Sequence, residues 1–241
     1  MHSAKVLIRK MASSLVSKSS PLRRPFTVIV EGNIGCGKTS FLEHYGKHED
    51  VCILPEPVEQ WRNLNGNNLL GLMYKDPEKW SFTFQSYVHL TMLENHLKPT
   101  TCPIKLLERS IYSARYCFVE KLSRDGLMSR PEAAVLDGWF QWVVSQNLVP
   151  VDLIIYLRTS PEVARERILK RNRPEEKAVS LPHLRALHDI YEDWLFHKTL
   201  FTCPAPILIL NADLEMSVIE SEYEKWEPYI FNKATSEAQA F

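Results

Sequence analysis

The stretch FTVIVEGNIGCGKTS, residues 26–40, decides the fold. It fits the pattern G-x-x-x-x-G-K-[ST] from Gly32 to Thr39, with an apolar run before it and the helix-forming FLEHY after it. These flanks favour a phosphate-binding loop over a chance glycine-rich turn. We expect Lys38 to reach the β- and γ-phosphates of a nucleoside triphosphate and Thr39 to bind Mg²⁺. The predicted triphosphate-binding residues of the loop are Gly32, Asn33, Ile34, Gly35, Cys36, Gly37, Lys38, Thr39 and Ser40.

Composition and charge exclude several classes of protein. With 241 residues, 45% of them hydrophobic and 24% charged, the chain has the make-up of an ordinary soluble protein. No apolar run approaches the roughly 18 residues that a membrane span needs. The net charge of zero gives no overall field to attract nucleic acid. The five cysteines are scattered without a C-x-x-C, which favours reduced thiols over disulfides or a metal site.

The N-terminal segment differs from the rest of the chain. Residues 1–24 contain lysine, arginine and several serines but no acidic residue. That composition is typical of a mitochondrial transit peptide, but it equally fits a disordered basic leader without a targeting role. We therefore treat residues 1–25 as a leader, and both a mitochondrial and a cytoplasmic location stay open. Residues 231–241 are expected to form a tail.

Apolar runs and helix-length segments alternate along the chain. This pattern predicts a parallel sheet covered by helices on both faces, in one doubly wound α/β domain over residues 26–230. Thr159, Ser160 and Pro161 have the pattern of a helix cap. The predicted strands are 26–30, 51–54, 104–107, 152–157 and 207–210. The predicted helices are 38–46, 67–75, 78–97, 110–123, 131–146, 161–171, 181–199 and 215–228.

Charged residues follow the second and third predicted strands, where ligands of parallel sheets bind. Glu56 is our candidate for the base that takes the proton of an acceptor hydroxyl, although an isolated glutamate in a turn is more often a surface residue. Glu108 is placed to reach Mg²⁺ through its water shell. Arg109 is placed to bridge Glu56 and the reacting oxygens. A purely structural ion pair at the sheet end is the alternative.

The segment EVARERILKRNRPEE, residues 162–176, is rich in arginine. Such a run is usually a solvated helix face, but here it predicts a lid that closes over phosphates. The following Glu175 and Glu176 do not suit an anion clamp and indicate contact with a neutral, hydroxyl-bearing acceptor. The cationic residues of the segment are Arg165, Arg167, Lys170, Arg171 and Arg173.

Two helical stretches predict a binding pocket for a planar base. Gln85, Val88 and Met92 share one helix face, and a glutamine among apolar neighbours needs a partner for its amide. A pyrimidine would supply one, because a half rotation of the carboxamide suits either thymine or cytosine. Ala114 and Phe118, one turn apart, would form a stacking slot. The alternative is an ordinary core with the glutamine bonded to backbone.

Taken together, these motifs resemble the deoxyribonucleoside kinases, especially the broad-specificity and mitochondrial thymidine kinase branches. EGNIGCGKTS, EPVEQW, LMYKDP, FQSYV, ERSIYSARYCFVE, DLIIYLRTSPEVARERI and the R-x-R-x-E-E lid carry the likeness, from about Phe26 to Asp213. The resemblance implies a P-loop kinase fold with a five-stranded parallel sheet and a homodimer made through helices. It also implies Mg²⁺-dependent transfer of the γ-phosphate of ATP to a nucleoside 5′-hydroxyl, in nucleotide salvage.

The resemblance also assigns residue roles. Glu56 is similar to the family's general base and Arg109 to the arginine that contacts it. Tyr74 and Glu176 resemble the pair that holds the sugar 3′-hydroxyl. By the same likeness, Gln85 reads the base and Phe118 stacks on it. The remaining pocket residues are Trp61, Phe84, Val88, Met92 and Ala114, and the lid residues are Arg167 at its base and the phosphate-clamping Arg171 and Arg173.

Two positions bear on substrate choice. The purine-accepting branch has an arginine and an aspartate at the places of Met92 and Ala114, so the likeness favours thymidine and deoxycytidine, with purines weaker. Cys36 stands where the family has serine. Since that position directs its backbone at phosphate, little should change, although the thiol can be oxidised.

Three other functions fit the phosphate loop less well. A GTPase needs D-x-x-G and N-K-x-D, and neither occurs in the sequence. A nucleoside monophosphate kinase needs cations around the acceptor phosphate, where this chain offers Glu56, Tyr74 and Glu176. A non-catalytic structural relative need not keep Lys38 and Arg109, so their presence favours catalysis.

Overall fold

The structure is a computed structural model that describes residues 24–173, 176 and 178–239. The predicted leader lies outside these residues except for its last two positions. Among the described residues, no helix combines the length and apolarity that crossing a membrane requires. All five cysteines are free thiols, as predicted.

Five strands form one parallel sheet in the order β2-β3-β1-β4-β5. Each predicted strand is confirmed to within one residue at either end. The predicted five-stranded parallel sheet of an α/β domain is thereby confirmed. The strands are β1 (Phe26–Glu31), β2 (Val51–Leu54), β3 (Ile104–Glu108), β4 (Leu153–Arg158) and β5 (Ile207–Asn211).

Helices cover both faces of the sheet. They are α1 (Lys38–Tyr45), α2 (Val58–Arg62), α3 (Leu69–Lys75), α4 (Pro77–Leu97), α5 (Ile111–Ser113), α6 (Glu120–Arg124), α7 (Arg130–Ser145), α8 (Pro161–Arg171), α9 (Leu181–Tyr191) and α10 (Met216–Gln239). Two π-helical segments, Ala114–Val119 and Glu192–Phe196, continue α5 and α9.

The helices differ from the sequence prediction in four places. The predicted helix 181–199 ends at Phe196, and its last five residues form the π-helical segment Glu192–Phe196. Helix α2 was not predicted, because its five residues are too few to show a helical period. The predicted helix 110–123 is divided by a π-helical segment. Helix α10 runs to Gln239, past the predicted end at 228 and across the boundary drawn for the tail. The start of α10, at Met216, lies within one residue of the prediction. The predicted cap of α8 is confirmed, because Ser160 accepts from the Val163 amide.

The central strand β1 is buried on both faces. Val28 and Val30 face one hydrophobic cluster, while Ile29 faces another, because successive side chains of a strand point to opposite sides. Burial on both faces explains why the strands are continuous apolar runs rather than alternating ones. The carboxyl ends of β2, β3 and β1 lie side by side, and they bring the charged segments together.

Candidate active site

The phosphate loop joins β1 to α1 and depends on glycine. Gly35 has φ +79°, and a Cβ there would lie 2.6 Å from the Ala164 carbonyl oxygen. Gly32 has φ +146° and is similarly close to the Leu157 carbonyl oxygen. Side chains other than hydrogen are strained or excluded at both positions. The backbone of the loop is therefore packed closely against β4 and α8.

Side chains of the loop tie it to the rest of the site. The Lys38 ammonium donates to the carbonyl oxygens of Asn33 at 2.8 Å and Gly32 at 3.3 Å, and to Sγ of Cys36 at 3.6 Å. The Asn33 amide donates to the Leu184 carbonyl at 2.8 Å, so this side chain anchors the loop to α9. Of the other predicted loop residues, Thr39 is exposed and Ser40 is half-buried.

The two residues predicted to bind a metal contact each other. The Thr39 hydroxyl donates to Oε1 of Glu108 at 3.1 Å. A hydroxyl and a carboxylate oxygen at this separation are hard ligands that suit Mg²⁺ with several waters retained. The donor set therefore fits the predicted ion.

Glu56 and Arg109 form an ion pair between the ends of β2 and β3. Nη1 of Arg109 donates to Oε1 at 2.7 Å and to Oε2 at 2.8 Å. Burial opposes the charge on Arg109, but the Glu56 carboxylate more than offsets it, so the pKa of Arg109 lies above its usual value. The other guanidinium nitrogens, Nε and Nη2, are buried without a hydrogen-bond partner among the described residues. An oxygen of a bound molecule would satisfy them.

Arg109 has a strained backbone. Its φ of +59° lies in the left-handed region, which costs a non-glycine residue about 1 kcal/mol or more. Its amide donates to the Val30 carbonyl at 2.9 Å, and its guanidinium carbon lies 4.9 Å from the centre of the Phe118 ring. The surrounding contacts thus hold the chain in a turn that directs this side chain towards Glu56.

A cavity of about 840 Å³, including its open mouth, lies beside this ion pair. The cavity brings together most of the residues predicted to contact a nucleoside. Those that line it are Glu56, Trp61, Tyr74, Phe84, Gln85, Val88, Arg109, Phe118 and Glu176.

Two residues predicted to line the pocket do not line the cavity. Met92 and Ala114 are 1% and 2% exposed and belong to the hydrophobic core. Met92 lies one helical turn beyond Val88, where the cavity ends and the core begins. Ala114 starts the π-helical segment, whose hydrogen bonds run from i to i+5. Phe118 lines the cavity and Ala114 does not, so a slot formed by the two residues stays a prediction.

Other lining residues were not predicted for the nucleoside. Lys121 and Leu122 lie about one turn after Phe118, and Leu70 and Met73 lie within one turn of Tyr74, so helical spacing could have identified them. His183 comes from α9, and burial together with Lys121 lowers its pKa to about 4, which keeps it neutral. The complete additional set is Ile34, Val58, Leu70, Met73, Lys121, Leu122, Arg173 and His183.

Gln85 is buried in α4 with its amide oxygen unpaired. Oε1 has no hydrogen-bond partner among the described residues, although the side chain lines the cavity. The Gln85 backbone carbonyl is instead bonded to Nδ1 of His89 at 2.8 Å. Trp61 beside it is fixed by a bond from its indole nitrogen to the Thr91 hydroxyl at 2.9 Å. A hydrogen-bond donor of a molecule bound in the cavity would satisfy this oxygen.

The predicted lid residues contact each other. Nη2 of Arg171 lies 2.6 Å from Oε1 of Glu176, and Nη1 of Arg173 lies 3.5 Å from the same oxygen. Arg173 and Glu176 line the cavity, whereas Arg171 does not. Arg167 donates to the Leu214 carbonyl at 3.1 Å, which directs it to the segment after β5. Glu175 lies outside the described residues.

Glu31, the last residue of β1, was given no role by the sequence analysis. Its carboxylate is fully buried and accepts from the Ser110 hydroxyl at 2.6 Å and from the Tyr191 hydroxyl at 3.3 Å. An acidic residue ending an apolar, buried strand is the signal that could have identified it, because such a group requires internal partners.

The chain is similar to proteins of one family. Residues 28–232 match the family described as Deoxynucleoside kinase. The human protein named Thymidine kinase 2, mitochondrial is 45% identical, over 86% of this chain and 78% of that protein. Deoxycytidine kinase 2 of Gallus gallus is 34% identical, over 85% and 89% of the two chains. Human deoxycytidine kinase is 35% identical, over 89% and 94%.

Proposed function

The chain belongs to the deoxynucleoside kinase family and is a deoxynucleoside kinase, and from that premise we propose that it transfers the γ-phosphate of ATP to the 5′-hydroxyl of pyrimidine deoxynucleosides, with purines weaker. The observation that carries the proposal is the Glu56–Arg109 ion pair on the wall of a cavity that is also lined by Gln85, whose amide oxygen has no partner among the described residues.

Glu56 is the proposed base. The acceptor hydroxyl loses its proton as the phosphoryl group arrives, and a carboxylate at the cavity wall can take that proton. Arg109 fixes the orientation of the carboxylate through Nη1 and leaves two nitrogens for the acceptor oxygen or the transferred group. We therefore propose that Glu56 accepts the proton of the hydroxyl and that Arg109 stabilises the negative charge that develops during transfer.

The nucleoside is proposed to lie along the cavity. Gln85 would bond the base, Phe118 would stack on it, and Tyr74 and Glu176 would bond the 3′-hydroxyl. Glu176, which would bind the sugar, is paired with Arg171 and Arg173, which would bind phosphate. The sugar site and the phosphate site would therefore share one cluster of charged residues. We propose that Arg171 and Arg173 exchange this contact for phosphate oxygens when the lid engages ATP.

ATP and Mg²⁺ are proposed to bind at the phosphate loop. The conformations of Gly32 and Gly35 admit phosphate close to the backbone, and Lys38 supplies a cation there. Thr39 and Glu108 would hold Mg²⁺, which when bound neutralises charge on the β- and γ-phosphates. The loop residues would then orient the donor towards the 5′-hydroxyl beside Glu56.

The acceptor preference provides the test of this function. Purified enzyme with ATP and Mg²⁺ is given thymidine, deoxycytidine, two purine deoxynucleosides and thymidine monophosphate. We expect kcat/KM to be highest for the two pyrimidine nucleosides. Preferential use of the monophosphate would instead favour a thymidylate kinase. That result would contradict the proposal, because Glu56 and Glu176 should repel a phosphorylated acceptor.

A homodimer is also proposed. Helices α4 and α7 pack together and expose large apolar side chains to the surface. Exposed apolar side chains on two packed helices are typical of a protein interface. The exposed residues are Leu90, Leu97, Val135, Trp139 and Trp142.

For location, we propose mitochondrial import directed by residues 1–25. The basic, acid-free composition of that segment and the name of the human relative support this proposal. A fusion of residues 1–30 to a fluorescent reporter tests it, and a diffuse cytosolic signal would contradict it.

A further inference from the structure

The buried carboxylate of Glu31 joins three elements of the site. It ends β1, immediately before the phosphate loop. Oε1 accepts from the hydroxyl of Ser110, which follows β3, and Oε2 accepts from the hydroxyl of Tyr191 at the end of α9. The Leu184 carbonyl of α9 also accepts a hydrogen bond from the Asn33 side-chain amide of the loop. Glu31 and Asn33 together therefore fix the loop and the end of β3 against one helix.

Ser110 transmits this contact to Arg109. The Ser110 hydroxyl donates its single proton to Glu31, which leaves its oxygen to accept from the amides of Tyr112 and Ser113 and so cap α5. Arg109, the preceding residue, has the strained φ of +59°. A strained residue keeps its conformation only when its neighbours are fixed. The Glu31–Ser110 bond is one such restraint on the chain that carries the guanidinium.

Several charged or titratable groups face Glu31. Arg109 and Lys38 act on it as cations, while Tyr191 and Cys117 are buried beside it. Burial raises the pKa of Glu31 to about 7, against the opposing effects of Ser110, Ser113 and the two cations. Glu31 therefore changes its charge within the physiological pH range.

We propose that Glu31, as a carboxylate, is a positioning residue for phosphoryl transfer that holds Ser110 and thereby aims Arg109 at Glu56 and the acceptor oxygen. This inference rests on the proposed roles of Glu56 and Arg109. A carboxylate accepts a hydrogen bond at each of its oxygens, here from the hydroxyls of Ser110 and Tyr191. A protonated carboxyl carries a hydrogen on one oxygen, and that hydrogen conflicts with the hydroxyl that donates there. Protonation on going below pH 7 therefore loosens the contact, and activity falls.

The experiment measures kcat against pH, from about 5.5 to 9, with ATP and thymidine saturating. We expect an acid limb near pH 7 in the unaltered enzyme. In Glu31→Gln we expect kcat to fall about 10- to 100-fold, KM values to change little, and the acid limb to disappear. In Tyr191→Phe, which removes one donor to the carboxylate, we expect the limb to move to higher pH.

Control variants separate positioning from general loss of structure. Asp152→Asn removes another buried carboxylate. Asp152 lies directly before β4, and its carboxylate accepts from the Thr27 amide. This variant should keep the acid limb. An acid limb that survives unchanged in Glu31→Gln overturns the proposal. If that variant does not fold, an unshifted limb in Tyr191→Phe overturns it instead. Glu56→Gln, assayed in parallel, tests the proposed base independently of Glu31.

Discussion

The Thr39 hydroxyl donates to the Glu108 carboxylate at 3.1 Å, although the two residues are 69 positions apart in the chain. The parallel pairing of β1 with β3 causes this contact, because it sets the end of β3 beside the start of α1. The two oxygens proposed to bind Mg²⁺ thus come from the start of α1 and the end of β3, next to the phosphate loop and Arg109.

Glu108→Gln should weaken the response to Mg²⁺. Loss of one charge near the ion should raise the Mg²⁺ concentration for half-maximal activity about tenfold or more. The measurement is a Mg²⁺ titration of kcat at fixed ATP, begun from enzyme treated with a chelator. Glu59→Gln is the matched control, since Glu59 is 83% exposed and paired with Arg62. An unchanged titration in Glu108→Gln would remove this residue from the proposed metal site.

Glu56→Gln should separate binding from catalysis. The amide keeps the size of the side chain but accepts a proton poorly, so kcat should fall about 10²- to 10⁴-fold. Thymidine binding, measured by calorimetry, should stay within about threefold of that of the unaltered enzyme, because no base-reading contact is lost. Glu59→Gln again serves as the control. Full activity in Glu56→Gln would show that another group takes the proton.

Gln85→Leu should impair both pyrimidines. The leucine cannot bond either base, so kcat/KM for thymidine and deoxycytidine should both fall about 100-fold or more. Gln146→Leu, which alters an exposed glutamine at the end of α7, should leave both values unchanged. Loss confined to one of the two nucleosides would contradict the idea that one carboxamide serves both by rotating.

Gly35→Ala and Gly37→Ala form a matched pair for the phosphate loop. Both glycines have positive φ, so either alanine is strained by about 1 kcal/mol. At Gly35 the new Cβ also meets the Ala164 carbonyl at 2.6 Å, whereas at Gly37 it meets nothing within 4 Å. Thermal unfolding without nucleotide should therefore show the larger loss of stability in Gly35→Ala. Equal losses would mean that the loop can move away from α8.

Trp139→Glu should convert the proposed dimer to a monomer. Trp139 is 69% exposed on α7, and a carboxylate buried in an apolar interface without a partner is costly. Light scattering after size-exclusion chromatography gives the mass directly. Leu169→Glu is the control, because Leu169 is 61% exposed on α8, away from this patch. A monomeric unaltered enzyme, or a dimeric Trp139→Glu variant, would refute the proposed interface.

The sequence predicted the sheet well because its signal is local. Each strand is a continuous apolar run, and the phosphate loop fixes which strand comes first. Local sequence signals did not predict the geometry of side chains where that geometry depends on tertiary contacts. The π-helical segment Ala114–Val119 is one example, because a single sequence gives no sign of such a segment. The Arg171–Glu176 pair is likewise a choice among partners that residue types alone leave open.

Glu31 was missed for a related reason. Its partners, Ser110 and Tyr191, come from distant parts of the chain, and only the folded arrangement brings them within bonding distance. By contrast, the Glu56–Arg109 contact was anticipated because both residues end neighbouring strands. Position at a strand end is readable from sequence, whereas the neighbours of a buried side chain are not.

The sheet order has a consequence for biosynthesis. The central strand β1 leaves the ribosome first but bonds only to β3 and β4, which are made much later. A nascent chain that ends before β3 already contains Lys38 and Glu56 yet has no neighbouring strand to hold them in place. During translation, its apolar β1 must stay unpaired, and this interval is when the protein is most exposed to aggregation and to chaperone capture.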